Sequence, residues 1–485
     1  METTLANPLG SADAAPAPAT AWRALAVTGF ATAVSVLMLG LLGGDGVGGG
    51  LLLLLGGTTL SVWITSRLAR REGAASAWWF AAGFSLKQLL TLIILFGGWI
   101  PHLDQNDPRY GYDPQRFHFE AWELARSGFD PATIQLLSLN YGGVLYYYGA
   151  AFLAFGWSAM VPALLNCITT LVAMSVVIWG MQQLRGGRLG LGAGFAAVLL
   201  VPDLLWFDVV ASRESLLSAL VSIVMVLVIV QIRGLAQRRV LLWAALAALA
   251  IATLRPPVLL PIAFTGVVAG LLLRRRGAGG MNRVAAVALL AGGAAAAIAA
   301  ATVLTSLLGG YNLNLLSDLS AIATANSEAS QGFEWANTSI ARRLIPTASW
   351  QVPLFTLLRL VLYFVAPWPV PSVTMAGFAD GRWPDWQSTL LALSSPLYWL
   401  SAPLLIAAAL RAVRDRTDRS ELTVHVGTIA LLLTVAGGNV IVQERYRVMA
   451  IGMMVASMLL VRREDLPRAL AVGRVLLGFA VGGAV

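Results

Sequence analysis

Asp, Glu, Arg and His gather in one stretch, "YGYDPQRFHFEAWELARSGFDP", residues 110 to 131 of a chain that is otherwise mostly Leu, Ala, Val and Gly. Carboxylates can accept a proton or cap a helix, and guanidinium groups can fork onto phosphate. Asp113 stands before Pro114, with Phe117, Ala121 and Leu124 following at helical spacing and Gly128 closing the run. That order is an N-cap, a proline at the first helical position, one apolar stripe and a stop. "FDPATIQLLSLN" repeats the device with Asp130 and Pro131, so the stretch predicts two short amphipathic helices lying at a membrane surface. His102 and His118 are too few and too scattered for a metal ligand set, while Asp104, Asp107 and Asp113 fit either a hard-cation site or solvated turns.

The elements around this stretch are those of a membrane protein. Of 485 residues, 58% are hydrophobic and 12% charged, against roughly one quarter charged in soluble domains. Runs such as "VLLWAALAALAIATL" approach the roughly 20 residues that cross a hydrocarbon core. Residues 1 to 20 read as a disordered Pro- and Ala-rich tail, and 21 to 485 as one polytopic domain. Cys167, the one cysteine, lies in an apolar run and can form neither an intramolecular disulfide nor a thiolate metal site. The formal charge of +9 comes from short arginine clusters between apolar runs, which are orientation signals and exclude nucleic acid as a partner.

Six clusters, at 67–72, 185–188, 233–239, 274–283, 411–419 and 462–465, are expected in the cytoplasm. The intervening connections then face outward: a first loop 101–141, 207–213, 254–257, a long segment 309–388, and 440–446. The fold expected is all-α, with about thirteen crossings, at 21–43, 48–66, 77–100, 160–182, 189–206, 214–232, 240–254, 257–273, 284–308, 389–410, 421–439, 447–461 and 468–485. Counting 142–158 as a crossing would put "RGGR" outside, so it reads as interfacial or re-entrant, and so does 354–369.

The first loop, followed by "NYGGVLYYYGAAFLAFGWSAMVPALLN", resembles the first external loop of GT-C glycosyltransferases such as protein O-mannosyltransferases and the lipid A aminoarabinose transferase. "SRESLLSALVSI" (212–223), "LRPPVLLP" (254–261) and "QERYRVMAIGMMVAS" (443–457) are similar, in the same order, to further segments of that superfamily. The resemblance covers about 100 to 275 well and 425 to 461 loosely. It implies an inverting enzyme of the bacterial cytoplasmic membrane, with its site facing the exterior and no metal or cofactor. Its partners are a polyprenyl-phosphate sugar donor, membrane lipid, and a glycan, lipid or protein acceptor. Asp113 and Glu214 match the catalytic acids, and Arg213, Arg255, Arg445 and Arg447 are the candidates for donor phosphate.

Each residue also has a plainer role. Asp113 serves as a cap, Glu214 as a first-turn acid favoured by the helix dipole, Arg213 as a partner of Asp208 or lipid phosphate, and Arg255 as a helix-end mark. An O-antigen polymerase or ligase would use outer arginines without needing Asp113. A transporter would show paired inverted repeats, broken helices and charges near the midplane. The sequence holds no convincing internal repeat, and Lys87 is the only lysine within an expected helix.

Overall fold

The computed structural model describes residues 18–97, 113–133, 142–235, 239–255, 258–259, 262–263, 351–365, 386–414, 419–438 and 447–482. All regular structure among them is helical. The helices are α1 (Pro18–Leu42), α2 (Val47–Glu72), α3 (Ala74–Phe96), α4 (Asp113–Arg126), α5 (Gly142–Phe155), α6 (Met160–Arg185), α7 (Gly194–Ala197), α8 (Pro202–Val209), α9 (Arg213–Ile232), α10 (Arg239–Leu254), α11 (Gln351–Val365), α12 (Trp386–Arg414), α13 (Arg419–Gly438), α14 (Ile451–Leu459) and α15 (Leu466–Gly482). Among the described residues, six helices are long and apolar enough to cross a membrane: α1, α2, α3, α6, α9 and α12. The crossings expected at 257–273 and 284–308 lie outside the described residues, apart from a few positions near 260.

Backbone groups inside a bilayer must be satisfied within the helix, and side-chain hydroxyls follow the same rule. Thr28 and Ser35 donate to the carbonyls of Ala24 and Ala31, and Thr428 to that of Val424. Between helices, small residues allow close approach: Gly452 of α14 meets Ser222 of α9, and Gly180 of α6 meets Val226.

Five of the six basic clusters collect at one end of the bundle. Glu72 accepts from Gln182 Nε2 and from the Leu189 and Gly190 amides, and Arg188 donates to the Arg71 carbonyl. Arg185 reaches the Leu459 carbonyl at 3.4 Å. Arg411 joins Glu421 at 2.7 Å and Asp465 at 2.9 Å, and Arg462 joins Glu421 at 2.8 Å. Because α6 and α9 run parallel, with Asn166 beside 208–210 and Gly180 beside Val226, Arg233 at the end of α9 lies there too. The sixth, 274–283, lies outside the described residues.

At the opposite end, α5 lies across the helix ends. Its last carbonyl, Phe155 O, touches Gly49 near the start of α2, and its start touches the end of α10, where a Cβ on Gly143 would fall 2.9 Å from Thr253 O. Fourteen residues make only about 21 Å of helix, short of a roughly 30 Å core. Residues 142–158, expected to be interfacial or re-entrant, thus hold a helix shorter than a crossing, set against the ends of α2 and α10. Helix α4 packs on α5 through the expected stripe: Phe117, Ala121 and Leu124 are all buried. Most of the second expected amphipathic helix lies outside the described residues, which reach only its start at Thr133. There, Asp130 accepts from the Ala132 amide at 2.9 Å, and the chain makes a single 3-10 turn, Pro131–Thr133.

The crossing expected at 189–206 is broken. Gly186, Gly190 and Gly192 take positive φ, α7 lasts four residues, and Val201 is extended before Pro202 starts α8. A proline at a first helical position after a glycine-rich lead cannot continue a helix from the residues before it. The expected helix 447–461 also divides, into a 3-10 turn Val448–Ala450 and α14.

Candidate functional site

The break in the chain at 198–212 delivers two acids into the bundle interior. Asp203 and Asp208 sit near the two ends of α8, both fully buried. Asp203 receives Arg447 Nε at 2.8 Å and Arg447 Nη2 at 3.2 Å, and the Tyr398 hydroxyl donates to it at 2.8 Å. The Arg447 guanidinium carbon also lies 4.1 Å from the Tyr398 ring centroid, a cation–π contact in a desolvated setting.

Asp208 pairs with Lys87 of α3. Lys87 Nζ stands 2.7 Å from Asp208 Oδ2, with both side chains at 0% exposure, a charge contact made outside hydrogen-bond angles. Thr170 of α6 donates to the same carboxylate at 3.0 Å, and Ser215 of α9 donates to Oδ1. At 1.5 Å per residue, Tyr398 lies roughly 20 Å along α12 from Arg411, and Lys87 roughly 20 Å along α3 from the Glu72 cluster. The two ion pairs therefore sit at a similar distance from the basic end, and α8 runs between them.

From Asp208 the chain turns up into α9. Asn166 Nδ2 donates to Asp208 O at 3.2 Å and Val210 O at 3.0 Å. The Tyr148 hydroxyl of α5 lies 2.8 Å from Ser212 O and 3.0 Å from Asn166 Oδ1, its one proton serving either. The next two residues, Arg213 and Glu214, open α9. Both are buried, with Arg213 Nε 3.5 Å from Glu214 Oε1. Arg255 lies just past α10, half-buried, its amide donating to Ile251 O at 2.7 Å. Helices α9 and α10 form a hairpin, and α5 touches its open end at both Ser212 and Thr253. Arg213, Glu214 and Arg255 thus share the end roofed by α5.

The other candidates are distributed differently. Asp113 begins α4, the helix packed on α5. Arg445 lies outside the described residues, as do Asp104 and Asp107. Arg447 is committed to Asp203 and Tyr398, well inside the bundle, whereas its sequence position suggested an outward-facing connection. Arg213 does not hold Asp208, whose carboxylate belongs to Lys87. Among the described residues no three His, Cys, Asp or Glu side chains gather as a metal ligand set.

An aromatic cluster seals α4 to α5. Trp122 stacks on Trp157 at 5.7 Å, and the His118 ring meets Phe152 at 5.0 Å and Trp157 at 5.7 Å. Burial alone draws the His118 pKa from 6.5 down to about 4, and its Nδ1 finds no hydrogen-bond partner.

Neither a protein family, a curated protein nor a solved structure matches this chain.

Proposed function

We propose that the chain transfers a sugar from a polyprenyl-phosphate-linked donor to an envelope glycan, lipid or protein acceptor at the outer face of the cytoplasmic membrane. The observation that carries this is the burial of Arg213 and Glu214 side by side in the first turn of α9, beneath a helix lying flat across the bundle end. A leaving phosphate develops negative charge, and a guanidinium held in a low-dielectric pocket stabilises it far more than one in water. Arg213 and Arg255, on the two arms of one hairpin, supply that charge. Inversion at the anomeric carbon requires a carboxylate to take the acceptor proton on the opposite face. Asp113, brought to the same end by α4, fills that role, with Glu214 orienting the acceptor. The order of the segments that resemble those of GT-C enzymes supports the same assignment.

The test is reconstitution of the purified protein with polyprenyl phosphates carrying radiolabelled hexose, pentose or aminopentose, scored for free polyprenyl phosphate. Donor turnover dependent on Arg213 supports the proposal. No turnover with any donor, under conditions where the protein remains folded, removes it.

A second reading is favoured by one feature. A crossing interrupted at 198–201 with two ion pairs at depth is what a transporter uses to line a substrate path. Solute flux across sealed vesicles that persists in the Arg213→Ala variant would favour transport. A polymerase or ligase of lipid-linked glycans would instead turn over oligosaccharide donors and tolerate loss of Asp113.

A further inference from the structure

Buried ion pairs contribute little net stability against apolar residues of equal volume, because desolvation offsets attraction. Stability therefore leaves the Lys87–Asp208 pair without a purpose, and its connections suggest one. The Asp208 carboxylate is joined to Ser215, one residue beyond Glu214, and to Thr170 of α6. Its own carbonyl and that of Val210 are held by Asn166, and Ser212 Oγ donates to Phe207 O at 3.1 Å. Each of these bonds fixes the backbone between 207 and 215, and the two residues whose side chains they leave to the site are Arg213 and Glu214. An α-helix starting after a non-helical link in which Val210 and Ser212 are extended, with no side-chain cap at Ser212, has no internal means of setting where its first turn points.

We propose that Lys87 is a positioning residue: it holds the Asp208 carboxylate in place, and through Ser215 and Thr170 that carboxylate sets the register of Arg213 and Glu214 at the roofed end of α9. The chemistry served is that of the sugar transfer proposed above, on which this inference rests. The carboxylate turns two oxygens to the Thr170 and Ser215 hydroxyls and its charge to Lys87, whereas an amide at the same position has one acceptor oxygen for the two hydroxyls.

The test uses the full chain in detergent and in proteoliposomes. Lys87→Met alone leaves a buried unpaired carboxylate and is expected to fold poorly. The double variant Lys87→Met/Asp208→Asn carries no charge at this pair and is expected to melt within a few degrees of the wild type. Hydrogen exchange of the 210–216 amides should nevertheless rise roughly tenfold or more, with the rest of α9 unchanged. In transfer assays kcat should fall by a similar factor, with KM for the lipid-linked donor changing less than threefold. Lys87→Arg, which keeps the charge, should recover most of the exchange protection. Wild-type exchange at 210–216 together with wild-type kcat in the double variant would reduce the pair to a structural one and overturn the proposal. If the wild-type protein turns over no lipid-linked sugar, the functional proposal fails on its own, and the exchange pattern still decides whether Lys87 sets the α9 turn.

Discussion

Arg447 and Tyr398 meet face to face, the guanidinium carbon 4.1 Å from the ring centroid, and both turn their polar atoms onto the same Asp203 carboxylate. Three helices far apart in sequence are tied at this point. Removing Arg447 strands a buried carboxylate, so Arg447→Ala should cost roughly 3–5 kcal/mol. Tyr398→Phe removes one donor while leaving the guanidinium fork, and should cost about 1 kcal/mol. Arg447→Lys should fall between, keeping charge but losing the fork and the stacking. Thermal and denaturant unfolding in detergent measure all three. A silent Arg447→Ala would show that Asp203 is not held as described.

His118 gives the fold a pH dependence of defined sign. Its folded-state pKa is lowered from 6.5 to about 4 by burial, so the neutral ring is the form the folded chain prefers. Above pH 6.5 both states are neutral and nothing changes. As pH falls from about 6.5 to 4, the unfolded chain binds a proton the folded chain refuses, and stability drops by up to roughly 3 kcal/mol. His118→Phe keeps a ring against Phe152 and Trp157 and should remove that slope. Unfolding midpoints between pH 7 and 4 for both proteins measure the effect, and parallel curves would assign the slope to other groups.

The grouping of loop ends predicts which positions share a side. In a Cys167→Ser background, Arg116→Cys on α4 and Asp45→Cys between α1 and α2 should be labelled from one side, and Gly187→Cys from the other. All three wild-type residues are exposed. Equal labelling of Arg116→Cys and Gly187→Cys by an impermeant reagent would contradict the arrangement.

The long apolar helices and the α4 stripe were legible because a 3.6-residue period and a run of apolar residues are local signals. Counting basic clusters argued against a full crossing at 142–158, where α5 is only fourteen residues long. The interruption before α8 was hidden in "LGLGAGFAAVLLVPDLLWF", where hydropathy outweighs the glycines and Pro202. Its other signal was the two acids within that run and beside it, together with Lys87: ionisable groups at membrane depth call for partners. Which partner each takes is a property of packing between helices more than a hundred residues apart, and a single sequence carries no trace of it. The same holds for Arg447, expected at the outer start of the 447–461 helix, whose contacts reach Asp203 of α8 and Tyr398 of α12.

The assignment of Asp113 as the residue that takes the acceptor proton is tested most directly by measuring sugar transfer with Asp113→Asn. Asn caps a helix about as well as Asp, whereas Ala costs about 1 kcal/mol, so Asp113→Ala separates a folding effect from a chemical one. Asp130→Asn is the internal control: it keeps an oxygen to accept from the Ala132 amide and lies outside the proposed chemistry. Because an amide cannot take up a proton at neutral pH, Asp113→Asn is expected to abolish transfer at normal expression and stability, with Asp130→Asn near the wild-type rate. Transfer by Asp113→Asn at the wild-type rate would contradict the mechanism.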